Sequence, residues 1–372
     1  MRRPPTPGMA TSDGTWGYRD RFGDAFARTY FRRFGPGVVS SVGLGTYLGD
    51  PTDDRDRRYR AAIAEALDAG VNLVDTAVNY RCQRSERVVG DALDRADVDR
   101  EAVVVATKGG FVPFEGSPPE DPGAYVRSEF VEPGLVDADD LAAGSHAMTP
   151  GFLDAMLDRS LSNLGVETVD CYYVHNPETQ LRVRSREAVY DRLEAGFERL
   201  ERRRAAGDVA GYGVATWDAF RVPRGHDAYL SLPEVVGRAE AAADAVGADD
   251  HGLCAVQLPF NVTMADAVTV DAHRHPTDRR DVSALEYAQA AGLDVVASAT
   301  LAQGALASSI PPAVDAELNG DTPAQRAINF ARSAPGVTVA LVGTGSPAHV
   351  PENVAAGTFE PLGARAFDAV FE

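Results

Sequence analysis

Val103-Val104-Val105-Ala106-Thr107-Lys108-Gly109-Gly110 is an apolar run that ends in a charge and passes at once into two glycines. An unbroken run rich in β-branched residues suits a strand buried on both faces. A lysine closing such a strand is unexpected, because ammonium groups are seldom buried without a partner. Lys108 is also the only lysine among 36 basic residues. An ammonium has a pKa that its surroundings can move, whereas a guanidinium stays charged. A position that keeps lysine in an arginine-rich chain is therefore a candidate for proton chemistry.

The pattern recurs on either side. Gly70-Val71-Asn72-Leu73-Val74-Asp75 ends an apolar run on an aspartate, with Tyr80 five residues on, and Asp170-Cys171-Tyr172-Tyr173-Val174-His175 ends one on a histidine. Further candidate strands span 42–46, 211–215, 255–258, 294–298 and 337–342, making eight in all with 71–75, 103–107 and 171–175. Helical patterns lie between them, for example over 59–69, 84–95, 152–164, 186–205, 232–246, 283–291 and 324–334. Thr149-Pro150, Thr322-Pro323 and Ser346-Pro347 each offer a hydroxyl cap followed by proline in the first turn.

Strictly alternating strands and helices predict a parallel sheet, and a count of eight favours an α/β fold of the (β/α)8 TIM barrel type over an open sheet. The Gly43-Leu44-Gly45-Thr46-Tyr47-Leu48-Gly49 stretch is one position too long for the dinucleotide fingerprint of an open sheet. Before the first barrel strand, 30–33 and 38–41 flank Phe34-Gly35-Pro36-Gly37, the signature of an N-terminal β-hairpin that would cap the barrel bottom. Long insertions follow three strands, over 111–148, 218–231 and 262–280, where a barrel carries its active-site loops. The first is rich in Pro, Gly and acidic residues yet holds Phe111, Phe114, Tyr125 and Phe130, so an ordered wall and a disordered excursion both stand. The domain organisation expected is a flexible segment over 1–24 and one barrel domain over 25–372.

Asp75, Tyr80, Lys108 and His175 fall at the C-terminal ends of three successive strands, the face where catalytic groups converge in a barrel. Their chemistry is complementary. Tyrosine with an ordinary pKa near ~10 is a poor proton donor at neutral pH, and a nearby ammonium favours its ionised form. Lys108 would supply that charge, Asp75 would hold Lys108 by a salt bridge, and His175 would orient a carbonyl. The set suits proton transfer to a carbonyl oxygen as hydride reaches the carbon.

These stretches, with Gly70–Ala77 plus Tyr80, Ala106-Thr107-Lys108-Gly109 and Asp170–His175, resemble the aldo-keto reductase superfamily over about residues 31–353. The resemblance implies a (β/α)8 barrel that binds NADP, or alternatively NAD, in extended form. It also implies a tetrad of Asp75, Tyr80, Lys108 and His175 with Tyr80 as general acid. The cofactor positions it implies are Gln257 and Thr216 at the nicotinamide amide, and Ser298, Leu301 and Gln303 in the segment beside the pyrophosphate. Gly343, Thr344, Ser346 and His349 would lie at the adenosine phosphate, and Glu352 and Asn353 at the adenine. Ser298 stands where the family usually has a stacking tyrosine, a role Trp217 or Phe260 would then inherit. The cations that NADP-preferring members carry near Gly343 and His349 are absent here.

The function expected is oxidoreduction between NAD(P)H and a small aldehyde or ketone, or the corresponding alcohol. A nucleotide-binding regulatory barrel with little turnover and a non-redox lyase or epimerase using the same tetrad remain alternatives. Acidic residues outnumber basic ones 55 to 36, for a net charge of −19. That balance argues against nucleic acid or an anionic membrane as partner, and fits an acidic, halophilic type of surface. Cys82, Cys171 and Cys254 show no Cys-x-x-Cys spacing, no apolar run reaches the length of a membrane span, and a cytoplasmic setting is expected. His273-Arg274-His275 lacks a third metal ligand, and no metal is expected. His146, within the first insertion, could reach the pocket but is expected at the surface. Arg202-Arg203-Arg204 suits the negative end of a long helix better than a binding patch.

Overall fold

A computed structural model describes residues 6–371. Eight parallel strands close into a barrel: β3 (Val42–Gly45), β4 (Leu73–Asp75), β5 (Val104–Gly109), β6 (Val169–His175), β7 (Val209–Ala215), β8 (Leu253–Pro259), β11 (Asp294–Ser298) and β12 (Val337–Gly343), with β12 pairing to β3. The hairpin is β1 (Phe31–Phe34) and β2 (Gly37–Ser40), antiparallel from Phe31 opposite Ser40 to Phe34 opposite Gly37. A second ribbon, β9 (His273–Arg274) with β10 (Asp281–Val282), lies around the third insertion. Each of the eight expected strands is therefore a barrel stave, and the (β/α)8 fold is the observed one.

Period-two alternation decides what each stave sends inward. Val39, Leu73, Val104, Val296, Val339 and Leu341 form one buried interior cluster, and Ala106, Cys171, Tyr173, Ala215 and Ala255 form another above it. Val39 comes from the hairpin, so β2 plugs the bottom of the barrel with an apolar side chain. Continuing each inward series by two residues places Asp75, Lys108, His175, Gln257 and Ser298 at the upper end of the same interior face.

Helices α2 (Asp53–Asp68), α3 (Arg84–Leu93), α5 (Pro150–Leu164), α6 (Arg186–Ala206), α7 (Leu232–Val246), α9 (Ala284–Ala290), α11 (Pro323–Ser333) and α12 (Val350–Ala356) surround the staves, and the short α4 (Pro122–Val126), α8 (Asp266–Thr269) and α10 (Pro312–Asp315) lie in the connections between them. The helix α2 begins six residues before the apolar periodicity suggested: Thr52 caps it by accepting from the Arg55 N–H, and Asp53, Asp54 and Asp56 sit in its first turn, where the helix dipole favours negative charge. Thr149 caps α5 and Thr322 closes a capping box with Gln325, as their Thr-Pro pairs predict. Ser346 makes no side-chain cap; a 3-10 turn over Pro347–His349 follows it. No helix among the described residues is long and apolar enough to cross a membrane.

Of the segment 1–24, expected to be flexible, residues 1–5 lie outside the described part, and from Thr6 onward the chain packs against the barrel. The helix α1 spans Ser12–Asp20 with Thr11 as its cap, and Tyr18 is buried, its hydroxyl donating to the Val71 and Leu67 carbonyls. Ala10 N donates to Asp170 Oδ1 at 2.6 Å. Tyr18 joins Phe22 and Phe31 in an aromatic cluster, and those rings outweigh the polar, glycine-bearing character of the segment.

The first insertion is an ordered wall. Val112, Val126, Phe130, Val136 and Ala147 bury themselves against Val78 of the β4 loop and Phe152 and Met156 of α5. Its aromatic and β-branched residues thus make a small core of their own, despite the acidic glycine-rich segments between them.

Candidate active site

Asp75, on the shortest stave, is the hub of the upper barrel. Its Oδ1 accepts from Lys108 Nζ at 2.5 Å and its Oδ2 from Gln257 Nε2 at 2.8 Å. Lys108 Nζ also donates to the Thr76 carbonyl at 2.8 Å and lies 5.0 Å from the centre of the Tyr80 ring. Tyr80 is carried on the loop after β4 and faces His175 at 5.9 Å and Tyr47 at 5.0 Å between ring centres. The four residues read from strand ends thus come together around one point.

Burial sets their protonation. Burial works against the Lys108 ammonium, but Asp75 and Tyr80 outweigh it and hold its pKa above that of an ordinary lysine. Burial pushes the Tyr80 hydroxyl up, more than Lys108 draws it down. Lys108 acts in the expected direction, but the ammonium limits a rise without reversing it, because the desolvation of a phenolate is the larger effect. His175 is held well below the usual histidine range by burial, then by Lys108 and His146, so its ring is neutral.

His146 is wholly buried and at the site, correcting the surface placement expected for it. The His175 carbonyl lies 2.7 Å from His146 Nε2, and Gln180 Nε2 lies 3.1 Å from His146 Nδ1. Donation from Gln180 fixes the proton on Nε2, which then donates to the His175 backbone. The insertion thereby clamps the strand end that carries His175. Gly110 permits this approach: its φ is +151°, and a Cβ there would fall 2.6 Å from the His175 carbonyl oxygen and 3.1 Å from His146 Nε2. Gly110→Ala should therefore lower stability by about 1–3 kcal/mol and depress turnover as well. Thermal unfolding alongside kcat checks this; a variant unchanged in both would dismiss the clamp.

Above the tetrad lies a cavity of about 430 Å³. Of the residues expected at a cofactor, Thr216, Gln257, Ser298, Leu301, Gln303 and Gly343 line it together with Asp75, Tyr80 and His175. Thr216 Oγ1 is buried there without a hydrogen-bond partner among the described residues. Trp217 lines the mouth and is 41% exposed, while Phe260 is buried and stacks on Phe330 at 5.5 Å, so Phe260 cannot replace a stacking tyrosine.

The last loop is brought in only partly. Thr344 is buried, donating to the Val342 carbonyl and accepting from Asn353 Nδ2 at 2.9 Å, while Glu352 Oε1 accepts from Thr322 Oγ1 at 2.7 Å. These side chains tie the loop to α12 and α12 to the cap of α11. Ser346 is half-buried and His349 exposed, and neither lines the cavity. A cation does arrive at this loop from elsewhere. Arg55 of α2 places Nη1 3.3 Å from where a Gly345 Cβ would stand, and a Cβ at Gly49 would fall 2.7 Å from its Nε. Two glycines make room for this guanidinium, a juxtaposition with no signal in linear spacing.

Among the other histidines, His273 is a core residue: Leu232 N donates to its Nδ1 at 3.2 Å, and its Nε2 is 2.8 Å from the Phe220 carbonyl. No cluster of three or more metal-ligating side chains occurs among the described residues. Burial lowers His146 and His273 to about 4 each. The unfolded chain takes up those protons near ~6.5, so stability is full above that pH and falls as pH drops towards 4, by about 3 kcal/mol per histidine. Glu178, raised by burial to about 6, works the other way by roughly 2 kcal/mol. Urea unfolding at several pH values should show a net loss below pH ~6.5; stability rising on acidification would contradict this assignment.

A sequence profile of the aldo/keto reductase family matches residues 41–230, just over half of the chain and a range within which Asp75, Tyr80, Lys108 and His175 fall. The chain belongs to the aldo/keto reductase family. Among curated relatives, a D-threo-aldose 1-dehydrogenase of a Pseudomonas species is 30% identical over 180 residues, 48% of this chain and 50% of that protein. An NADH-specific methylglyoxal reductase of Escherichia coli K12 is 44% identical over 80 residues, 20% of this chain and 24% of that protein. The matches thus span half or less of these curated relatives. Among solved structures, the glycerol dehydrogenase of Gluconobacter oxydans superposes with a TM-score of 0.62 at 20% identity, covering 93% of this chain and 95% of that one. An aldo-keto reductase of Klebsiella pneumoniae in complex with NADPH gives 0.58 at 20% identity, over 91% and 93%. These structures share the fold.

Proposed function

We propose that this protein interconverts a carbonyl compound and its alcohol with a nicotinamide dinucleotide, using Tyr80 as the proton donor. The observation that carries the reading is the Asp75–Lys108 pair at 2.5 Å beneath Tyr80, at the floor of a cavity walled by neutral His175. A nicotinamide cofactor, when bound, supplies the hydride. The cavity suits one: Thr216 Oγ1 is a buried orphan beside it, ready for a carboxamide, and Trp217 offers a flat face at its mouth. Gln257 would meet the amide only with the part of its side chain not tied to Asp75.

In this reading Tyr80, protonated at neutral pH, donates to the oxygen of the carbonyl, and Lys108 stabilises the negative charge that develops on the phenol oxygen. Asp75 holds Lys108, and Gln257 holds Asp75. His175, neutral, aligns the carbonyl without competing for the proton. NADP is the cofactor favoured, because the Klebsiella structure was obtained with NADPH and Arg55 supplies a guanidinium at the Gly345 loop. NAD is the alternative, carried by the NADH-specific relative.

Fluorescence titration with NADPH and NADH, followed by a carbonyl screen read by cofactor absorbance, tests the reading. Saturable binding with NADPH the tighter is expected, and Arg55→Met should erase that preference. No binding of either dinucleotide would remove the redox function.

A further inference from the structure

Directly after Tyr80 the chain passes through three consecutive non-glycine residues in the left-handed region: Arg81 at φ +48°, Cys82 at +57° and Gln83 at +68°. Each crowds its Cβ against its own backbone, a conformation that glycine alone takes without cost. The sequence holds 35 glycines and places none in this turn. Starting α3 does not demand the strain either, since Gln83, the residue before that helix, makes no capping hydrogen bond. Strained residues persist where their surroundings over-determine them, and they gather where a neighbouring group must be held in place.

The anchors that hold this turn reach two different parts of the fold. Arg81, buried, donates through Nε and Nη2 to the Asp50 carbonyl at 3.3 and 3.1 Å and through Nη2 to Asp56 Oδ1 at 2.5 Å, with its guanidinium 5.0 Å from the centre of the Tyr59 ring. These bonds tie it to α2 and to the loop before that helix. Gln83, also buried, donates through Nε2 to the Phe114 carbonyl at 3.0 Å and to Glu115 Oε2 at 2.9 Å, and its Oε1 accepts from Asn163 Nδ2 at 3.1 Å. It is thereby tied to the first insertion and to α5. Between the two, the Cys82 carbonyl accepts from the Gly116 N–H at 3.0 Å. Glycine would reach the same φ yet be free to leave it; an anchored side chain enforces one conformer. On the other side of Tyr80 the Val78 N–H donates to the Lys108 carbonyl at 3.2 Å, so the tyrosine is braced along the chain from both directions.

We propose that Arg81 and Gln83 are positioning residues: by pinning a left-handed turn between α2 and the first insertion, they set the Tyr80 ring beside Lys108 and His175 for proton transfer. Arg81 is the stronger anchor, because its ion pair with Asp56 is charge-assisted. As a device for proton transfer, the turn rests on the carbonyl oxidoreductase reading.

Lys108 is the only lysine, so protein made with isotope-labelled lysine shows a single Cε signal by NMR, and the Tyr80 ring, 5.0 Å from Nζ, shifts that signal by its ring current. The signal reads the placement of Tyr80 without turnover, and Tyr80→Leu gives its value with the ring removed. Arg81→Ala deletes the anchor and disfavours the turn, whereas Arg81→Gly deletes the same anchor but admits the turn at no steric cost. A merely structural anchor would lower Tm in both alike and leave the signal in place. Expected instead is a shift in Arg81→Ala towards the Tyr80→Leu value, with kcat down about tenfold or more and dinucleotide affinity unchanged. Arg81→Gly should recover most of both losses. Asp56→Asn, which loosens the anchor from its far end, should move the signal the same way by less, and it decides the outcome where Arg81→Ala does not fold. A signal unmoved by Arg81→Ala and Asp56→Asn, or equal shifts and rates in the alanine and glycine variants, would overturn the positioning role. The expected shifts in a protein that reduces no carbonyl would refute the redox reading alone. Carbonyl reduction with an unmoved signal would refute only the positioning.

Discussion

Tyr80→Phe should lower turnover by roughly 10²- to 10⁴-fold while leaving dinucleotide affinity unchanged. The ring of Tyr80 packs edge-on against Tyr47 and His175, and phenylalanine preserves both contacts. What disappears is the hydroxyl beside Lys108, the group proposed to donate the proton to the carbonyl oxygen. In the proposed mechanism burial keeps it protonated and Lys108 steadies the anion it leaves behind, and His175, neutral and held from protonation, has no proton to offer in its place. Steady-state rates with a good carbonyl substrate, beside dinucleotide titration, check the prediction. Turnover retained at the parent level would remove Tyr80 from the chemistry.

Lys108→Met is expected to have the largest effect on stability. It leaves the Asp75 carboxylate buried with Gln257 as its one partner among the described residues, and breaking a buried ion pair from one side costs about 3–5 kcal/mol. Adding Asp75→Asn should restore most of that loss, since no charge then remains, yet turnover should stay as low as in the single variant. Chemical denaturation of the parent, single and double variants, alongside rates, separates the roles. Recovery of turnover in the double variant would show that the pair is structural and not part of the proton transfer.

Much of this was legible in the sequence because periodicity and strand ends are local. Once eight staves are counted, alternation alone decides that Asp75, Lys108 and His175 share the inner face, and the barrel does the rest. Three things escaped for physical reasons. The His146 clamp on His175 joins residues 29 apart through a backbone carbonyl, which no residue pattern marks. Arg55 meets Gly345 only because β3 pairs with β12, a contact between the first and last staves. The packing of the segment from Thr6 is hidden by its polar composition, within which the ring and hydroxyl of Tyr18 tie it to Leu67 and Val71.

The same lysine gives the protein a built-in integrity gauge. A lysine-directed protease has just one target in the whole sequence, the bond after residue 108, and that side chain is fully enclosed by the barrel. A folded molecule therefore presents nothing to cut, and each cleavage event registers a barrel that has opened, with two fragments of defined size as the record. Where opening and closing are fast relative to cleavage, the rate at which those fragments accumulate tracks the opening equilibrium itself.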